Sequence, residues 1–410
     1  MRHRPVVQSI DTGRARGSRS PTKFCWRRLL RGLECGRLVV DTPRGRQLVF
    51  QGKRQGPQAR LTIHNWRCVR RLATRWDLGF AEAYMAGEWS SPDLVALLRL
   101  AAGNAAIAET LKWLRLPRVG VKLRHALNRN TRRGSLRNIA AHYDLGNAFY
   151  EQWLDAGMTY SSALFSHPGQ TLEEAQNAKL DRVLDLLNLT GGERVLEIGC
   201  GWGTLVERMA ERHECAITAI TLSTEQLAFA RQRLHGRQPL GKYDLQRQDY
   251  RDLSGAFDRI VSIEMLEAVG EAYWSNYFKK LQECLRPDGL AVLQVITIDD
   301  ALFENYRRRP DVIQRYIFPG GMLPTASIIA REIANAGLEL LSTEFFGESY
   351  ARTLREWRLR FQRARPTIAG LGFDGRFQRT WDYYLAYCEV GFEIGAVNVG
   401  LYRLAHAARK

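Results

Sequence analysis

The stretch Arg194–Ala210, RVLEIGCGWGTLVERMA, decides the fold. Its first residues are a short apolar run, which reads as a buried strand. Its last residues place apolar side chains at helical spacing. Between them stand Gly199, Gly201 and Gly203. Such a turn serves one of two ends: a tight reversal from strand to helix, or backbone that lies flat against a ligand with no Cβ in the way.

The flanking sequence repeats the strand–helix alternation. Upstream, LEEAQNAKLDRVLDLLNL has helical spacing. Downstream come CAITAITL (strand), STEQLAFARQRL (helix), YDLQRQD and FDRIVSIEM (strands), YWSNYFKKLQECL (helix) and GLAVLQVITI (strand). ASIIAREIANAGLELLSTEFF adds a helix and a further strand. Apolar strands alternating with helices predict an α/β fold with a mostly parallel sheet covered on both faces. In such sheets ligands sit at the carboxyl ends of the strands.

The loop chemistry narrows the ligand. A dinucleotide turn needs G-x-G-x-x-G and a P-loop needs Lys-Ser/Thr; neither is present. An acidic strand end, Glu197, followed by G-x-G-x-G points instead to S-adenosylmethionine. Thr221 and Gln226 flank the next helix start, where Ser223 and Gln226 also spell a capping box. Asp249 and Tyr250 follow the third strand, where the adenine of such a cofactor would lie.

Bulk properties bound the rest. The 410 residues carry a formal net charge of +17 and 45% apolar residues. That size allows two or three domains, and the charge calls for an anionic partner. The seven cysteines are scattered and form no C-x-x-C pair, so neither zinc nor a disulfide framework is expected. A reducing, cytoplasmic compartment follows. No apolar run reaches the ~18 residues of a membrane span. Residues 1–32 read as a disordered basic tail, 33–105 as a small α+β domain with a hairpin, 106–135 as a basic helical linker, and 136–410 as the cofactor-binding domain.

The chain resembles the cyclopropane-fatty-acyl-phospholipid synthase family. The resemblance rests on AHYDLGNAFYEQWLDAGMTYSSALF, LEIGCGWG, TLSTEQ, QDYRDL, FDRIVSIEMLEAVG, YIFPGGMLP and YYLAYCEVGFEIGAVNVG, in that family's order. It implies a class I methyltransferase, Rossmann-like, with a seven-stranded sheet. It also implies cofactor contacts from Tyr143, Tyr160, Ser161, Glu197, Gly199, Gly201, Gly203, Thr221, Gln226, Tyr250 and Arg251. The family transfers a methyl group from S-adenosylmethionine to the cis double bond of a phospholipid acyl chain and closes a cyclopropane. A bicarbonate ion is understood to serve as its base.

Carried over by position, the resemblance places Glu267, Tyr350 and the backbone N–H of Ile296 around that ion. Two positions depart: Ser162 stands for the family's cysteine and Gln294 for its histidine. Gln cannot titrate, so methyl-branched or methylene products stay open beside the cyclopropane, as does methylation of a small amine. A non-catalytic lipid-binding module is the third class. Cys388 matches a cysteine long suggested as catalytic, but an apolar helical setting favours a packing role. Trp274, Tyr277 and Phe278 read as core, and YIFPGG as a lid or a plain turn. The substrate and the basic tail and linker together suggest peripheral docking on the inner, anionic face of a membrane. No RNA-binding signature appears, and a homodimer stays open.

Overall fold

A computed structural model describes residues 32–104 and 145–408. The described chain forms two units: 32–104 with 372–390, and 145–371 with 391–408.

The first unit joins an α+β arrangement of residues 32–104 to residues 372–390, which the sequence reading assigns to the cofactor-binding domain. Its four-stranded sheet consists of β1 (Cys35–Asp41), β2 (Gln47–Gln51), β3 (Arg54–Ile63) and β4 (Trp89–Ser90), in the order β2-β1-β3-β4. The β1–β2 hairpin is antiparallel, whereas β1 and β3 run parallel. Helices α1 (Arg67–Met85) and α2 (Leu94–Ala102) complete it, the latter capped by the Asp93 carboxylate on the Ala96 N–H. Tyr84 donates to Asp382 at 2.7 Å within this unit.

The second unit holds the seven-stranded sheet. After helix α3 (Leu172–Leu187) come β5 (Arg194–Ile198), α4 (Thr204–Arg212), β6 (Ala216–Thr221), α5 (Thr224–Leu234), β7 (Lys242–Arg247) and β8 (Phe257–Ile263). They are followed by α6 (Trp274–Cys284), β9 (Leu285–Ile298), α7 (Ala326–Asn335), β10 (Leu338–Phe345), α8 (Gly347–Arg363) and β11 (Val397–His406). The order is β10-β11-β9-β8-β5-β6-β7, and β11 alone runs against its neighbours. Strand alternation splits the core between the two faces. Val195 faces a cluster with α3, α4 and α5, while Leu196 and Ile198 face one with α6 and α7. Trp274, Tyr277 and Phe278 belong to that second core.

The chain leaves β5 for β6 and β7 on one side, then returns to β8 on the other. This reversal opens a crevice beyond the carboxyl ends of β5 and β8. The register puts Glu197 opposite Ala219 of β6 and Val261 of β8, and Ile263 opposite Gln294 of β9.

Candidate functional site

The glycine turn answers to both demands raised by its sequence. All three glycines have positive φ, between 52° and 85°. A Cβ on Gly203 would lie 2.8 Å from Ala230 Cβ, so close approach of α4 to α5 requires glycine there. A Cβ on Gly201 would meet nothing within 4 Å. Its turn opens on a cavity of about 170 Å³.

That cavity is lined by Tyr160, Ser161, Glu197, Gly199, Gly201, Thr221, Gln226 and Tyr250. Eight of the expected cofactor residues therefore converge on one space. Gly203 and Arg251 are not in its lining. Arg251 is turned onto Asp249 instead, with Nε–Oδ1 at 2.8 Å and Nη2–Oδ2 at 2.6 Å. Tyr143 and His142 lie outside the described residues. The expected capping box at α5 forms by half. Ser223 accepts from the Gln226 N–H, but the Gln226 side chain accepts from Thr221 Oγ1 at 2.8 Å. The N–H of Ser223 turns to Thr221 Oγ1.

Glu197 is 3% exposed, and its Oε2 has no hydrogen-bond partner. Burial pushes its carboxyl up to about 8, against an opposing pull from Lys179. An unpartnered buried carboxylate oxygen beside an open glycine turn suits a ligand that brings hydrogen-bond donors and positive charge. S-adenosylmethionine has both.

A second cluster adjoins this cavity and centres on a residue that sequence reading passed over. Glu264 caps the end of β8 and lines the cavity. Its Oε1 accepts from the Ser162 N–H at 2.9 Å and from Gln294 Nε2 at 2.7 Å. Its Oε2 accepts from the Tyr350 hydroxyl at 2.7 Å. Three of the expected catalytic positions thus meet on one carboxylate. Ser162 contributes its backbone, not its side chain: its hydroxyl donates to the Ala163 carbonyl. The Glu264 backbone is left-handed, φ 49°, a strained conformation for a side-chain-bearing residue. Burial raises its affinity for a proton, while the hydrogen bonds and Lys179 oppose that.

Glu267 sits beside it. Its Oε1 accepts from the Ile296 N–H at 2.5 Å, and its Oε2 is buried without a partner. Burial, reinforced by the Glu264 charge, pushes its carboxyl up to about 8. The YIFPGG loop approaches this pair. Met322 N–H donates to the Glu267 carbonyl, and the Phe318 ring lies 6.4 Å from that of Tyr160. Tyr350 stacks on Phe392 at 4.4 Å. Cys388 falls in the first unit, is half-buried, and is absent from the cavity lining.

The signal for Glu264 was present: an acid closing an apolar strand, as Glu197 does. Lys179 was also legible, since Gln176, Lys179, Leu180 and Val183 share the buried face of α3 at helical spacing.

A seven-stranded sheet with one reversed edge-side strand, a glycine turn after its central strand and an acid before that turn define a class I S-adenosylmethionine-dependent methyltransferase. Within that class, the family described as mycolic acid cyclopropane synthetase matches residues 130–401, and the chain belongs to it. It is 41% identical over 341 residues to the tuberculostearic acid methyltransferase UfaA1 of Mycobacterium tuberculosis, covering 81% of this chain and 79% of that one. It is 33% identical over 343 residues to the cyclopropane-fatty-acyl-phospholipid synthase of Escherichia coli, covering 82% and 84%. The crystal structure of mycolic acid cyclopropane synthase CmaA1 with SAH and CTAB superposes with a TM-score of 0.62 at 28% identity. It covers 66% of this chain and 97% of that one.

Proposed function

We propose that the chain transfers a methyl group from S-adenosylmethionine to the cis double bond of an unsaturated fatty acyl chain, and that Glu264 takes the proton the reaction releases. The observation that carries this is the Glu264 carboxylate, buried among the Ser162 N–H, Gln294 and Tyr350.

Bound in the cavity, S-adenosylmethionine supplies an electrophilic sulfonium methyl. Tyr160, Ser161, Glu197, the glycine turn, Thr221, Gln226 and Tyr250 are the residues that would hold it. The π pair of the double bond would make the new C–C bond as the C–S bond breaks, its electron pair returning to sulfur in S-adenosylhomocysteine, and would leave a carbocation on the neighbouring carbon. Aromatic faces stabilise such charge, and Tyr160, Tyr350 and Trp357 stand together here. The cation discharges when a C–H bond breaks and its proton passes to a base. The resemblance implied bicarbonate for that part. On this reading the donors at Ser162, Gln294 and Tyr350 already serve a carboxylate of the chain, so no external anion is required. Glu267, whose carboxyl burial and the Glu264 charge push up to about 8, is read as the next carrier of that proton.

Electron counting restricts the product. Loss of a proton from the new methyl gives either a cyclopropane or, after a hydride shift, a methylene (C=CH2) branch on the open chain. A saturated methyl branch needs a further hydride, which these residues do not supply. We take the methylene chain as the first product. It is supported by the non-titrating Gln294 and by greater identity to the tuberculostearic acid methyltransferase than to the cyclopropane synthase. Ring closure at the same carboxylate is the second reading. The acyl chain is taken to belong to a membrane phospholipid, met from one side: no helix among the described residues is long and apolar enough to cross a membrane.

Expression in a host lacking its own lipid-modifying methyltransferase, followed by proton NMR of the extracted lipids, tests this. Vinylidene protons support the first product and upfield ring protons the second. E264Q should lower turnover about 10²-fold or more with donor affinity kept. A variant that turns over normally removes Glu264 from the reaction.

A further inference from the structure

Helix α3 sends two polar side chains into the interior beneath the cavity. Gln176 Nε2 donates to the carbonyls of Ser161 at 2.8 Å and Thr159 at 3.3 Å. One turn on, Lys179 Nζ donates to Ser161 Oγ at 2.8 Å. Lys179 is 1% exposed and lines the cavity. It is the one cation in that lining among the described residues. Leu180 and Val183 continue the same face as ordinary core, so an apolar residue at 179 would satisfy packing without the desolvation an ammonium suffers.

Its surroundings explain its presence. The carboxylates whose charges Lys179 feels are Glu264, Asp155 and Glu197. Glu264 in turn faces Lys179, Glu267, the Tyr350 hydroxyl, Gln294 and the Ser162 N–H. Four carboxyl groups, Glu264, Glu267, Asp155 and Glu197, thus crowd one buried region, and without a countercharge they would hold their protons more tightly. A base that holds its proton takes none from the substrate.

We propose that Lys179 is a positioning residue for the methyl-transfer reaction: it anchors the Tyr160–Ser162 segment from below and keeps Glu264 ionised. Two links in one side chain join the donor cavity to the base. The hydrogen bond fixes Ser161, whose neighbour Ser162 aims its N–H at Glu264. The ammonium charge acts on the carboxylate directly. Burial lowers the proton affinity of Lys179 itself to about 8, so the ammonium persists at neutral pH.

This proposal rests on Glu264 as base, and the test separates the two. The pH dependence of kcat is measured for the full chain and for E264Q, K179Q, K179M and K179R, with donor binding by calorimetry and folding by circular dichroism. An acid limb that disappears in E264Q establishes the base; a limb that persists there overturns the base assignment, whatever Lys179 does. Removing a nearby positive charge raises the proton affinity of a carboxylate. The acid limb should therefore move up by about one unit in K179Q and K179M. Turnover at pH 7 should fall about tenfold, and donor affinity should change less than about threefold. K179R keeps the charge and should keep the limb. A limb unmoved in the neutral variants overturns the proposal. So does one that moves as far in K179R as in K179Q, which also decides the matter if the neutral variants do not fold.

Discussion

Glu264 and Glu197 show how one physical situation yields two uses. Both are acids closing buried strands, and burial raises the proton affinity of both. Glu264 is met by three hydrogen-bond donors of the chain, whereas Glu197 keeps an oxygen without a partner. On the proposed reading the first is preorganised as a base, and the second is left for a ligand. The sign of the pH dependence follows. Because the Glu264 proton is held above the usual carboxylate range, the base form is lost as pH falls through that raised value. Turnover should climb with pH across the range in which an ordinary glutamate is already ionised; a flat profile down to pH 5 would contradict it. Glu197, at about 8, is protonated at pH 7 in the free protein, and a sulfonium beside it favours the ionised form. Donor binding should release a proton at pH 7, read as a binding enthalpy that varies with the ionisation enthalpy of the buffer. Affinity should rise toward pH 8 and then level off. E197Q should abolish the release.

At the scale of elements, the glycine turn carries a separable prediction. Gly203 has φ 83° and faces Ala230 at a distance no real Cβ tolerates. G203A should destabilise the fold and loosen the α4–α5 contact, lowering the melting temperature and donor affinity together. Gly201 also has positive φ, but a Cβ there meets open space. G201A should cost donor affinity more than stability, measured by calorimetry beside thermal melting. Away from the site, the Thr171–Glu174 capping box starts α3, and T171A should cost about 1 kcal/mol of stability in chemical denaturation. These elements were legible because periodicity and caps are local. RVLEI announces a buried strand, and Thr171 with Glu174 announces a helix start. What the sequence could not show was pairing across it. Ser162, Glu264, Gln294 and Tyr350 lie on a loop, two strand ends and a helix, and only the sheet register brings them together. The positions of Ser162 and Gln294 were read from family resemblance, and that reading assumed their side chains faced an ion. In the structure the Ser162 N–H and the Gln294 side chain meet the Glu264 carboxylate, and a left-handed residue at a strand end has no signature in composition.

For the whole molecule, the net charge of +17 is the property that the cavity does not explain. Many described arginines are spoken for: Arg208 and Arg212 by Asp181, Arg307 by Glu271, Arg360 by Glu173. The excess over acids is dense in the sequence before residue 32 and between 105 and 144, where Arg115, Arg118, Lys122, Arg124, Arg129, Arg132 and Arg133 fall close together. The proposed phospholipid substrate would give such charge a purpose. Each cation near an anionic surface contributes about 1 kcal/mol, so several acting together would hold the protein at a bilayer that carries the proposed substrate. Electrostatic docking has a signature that hydrophobic insertion lacks: it weakens as salt shortens the screening length, about 10 Å at 0.1 M and 3 Å at 1 M. The full chain should therefore sediment with vesicles containing anionic lipid, release as salt rises from 0.1 to 1 M, and bind neutral vesicles at least about tenfold more weakly. Turnover on vesicle substrate should fall in parallel, while donor affinity in the absence of vesicles stays nearly constant, because donor binding does not involve the vesicle surface. Equal binding to both kinds of vesicle, or binding indifferent to salt, would mean that the charge serves something other than the membrane.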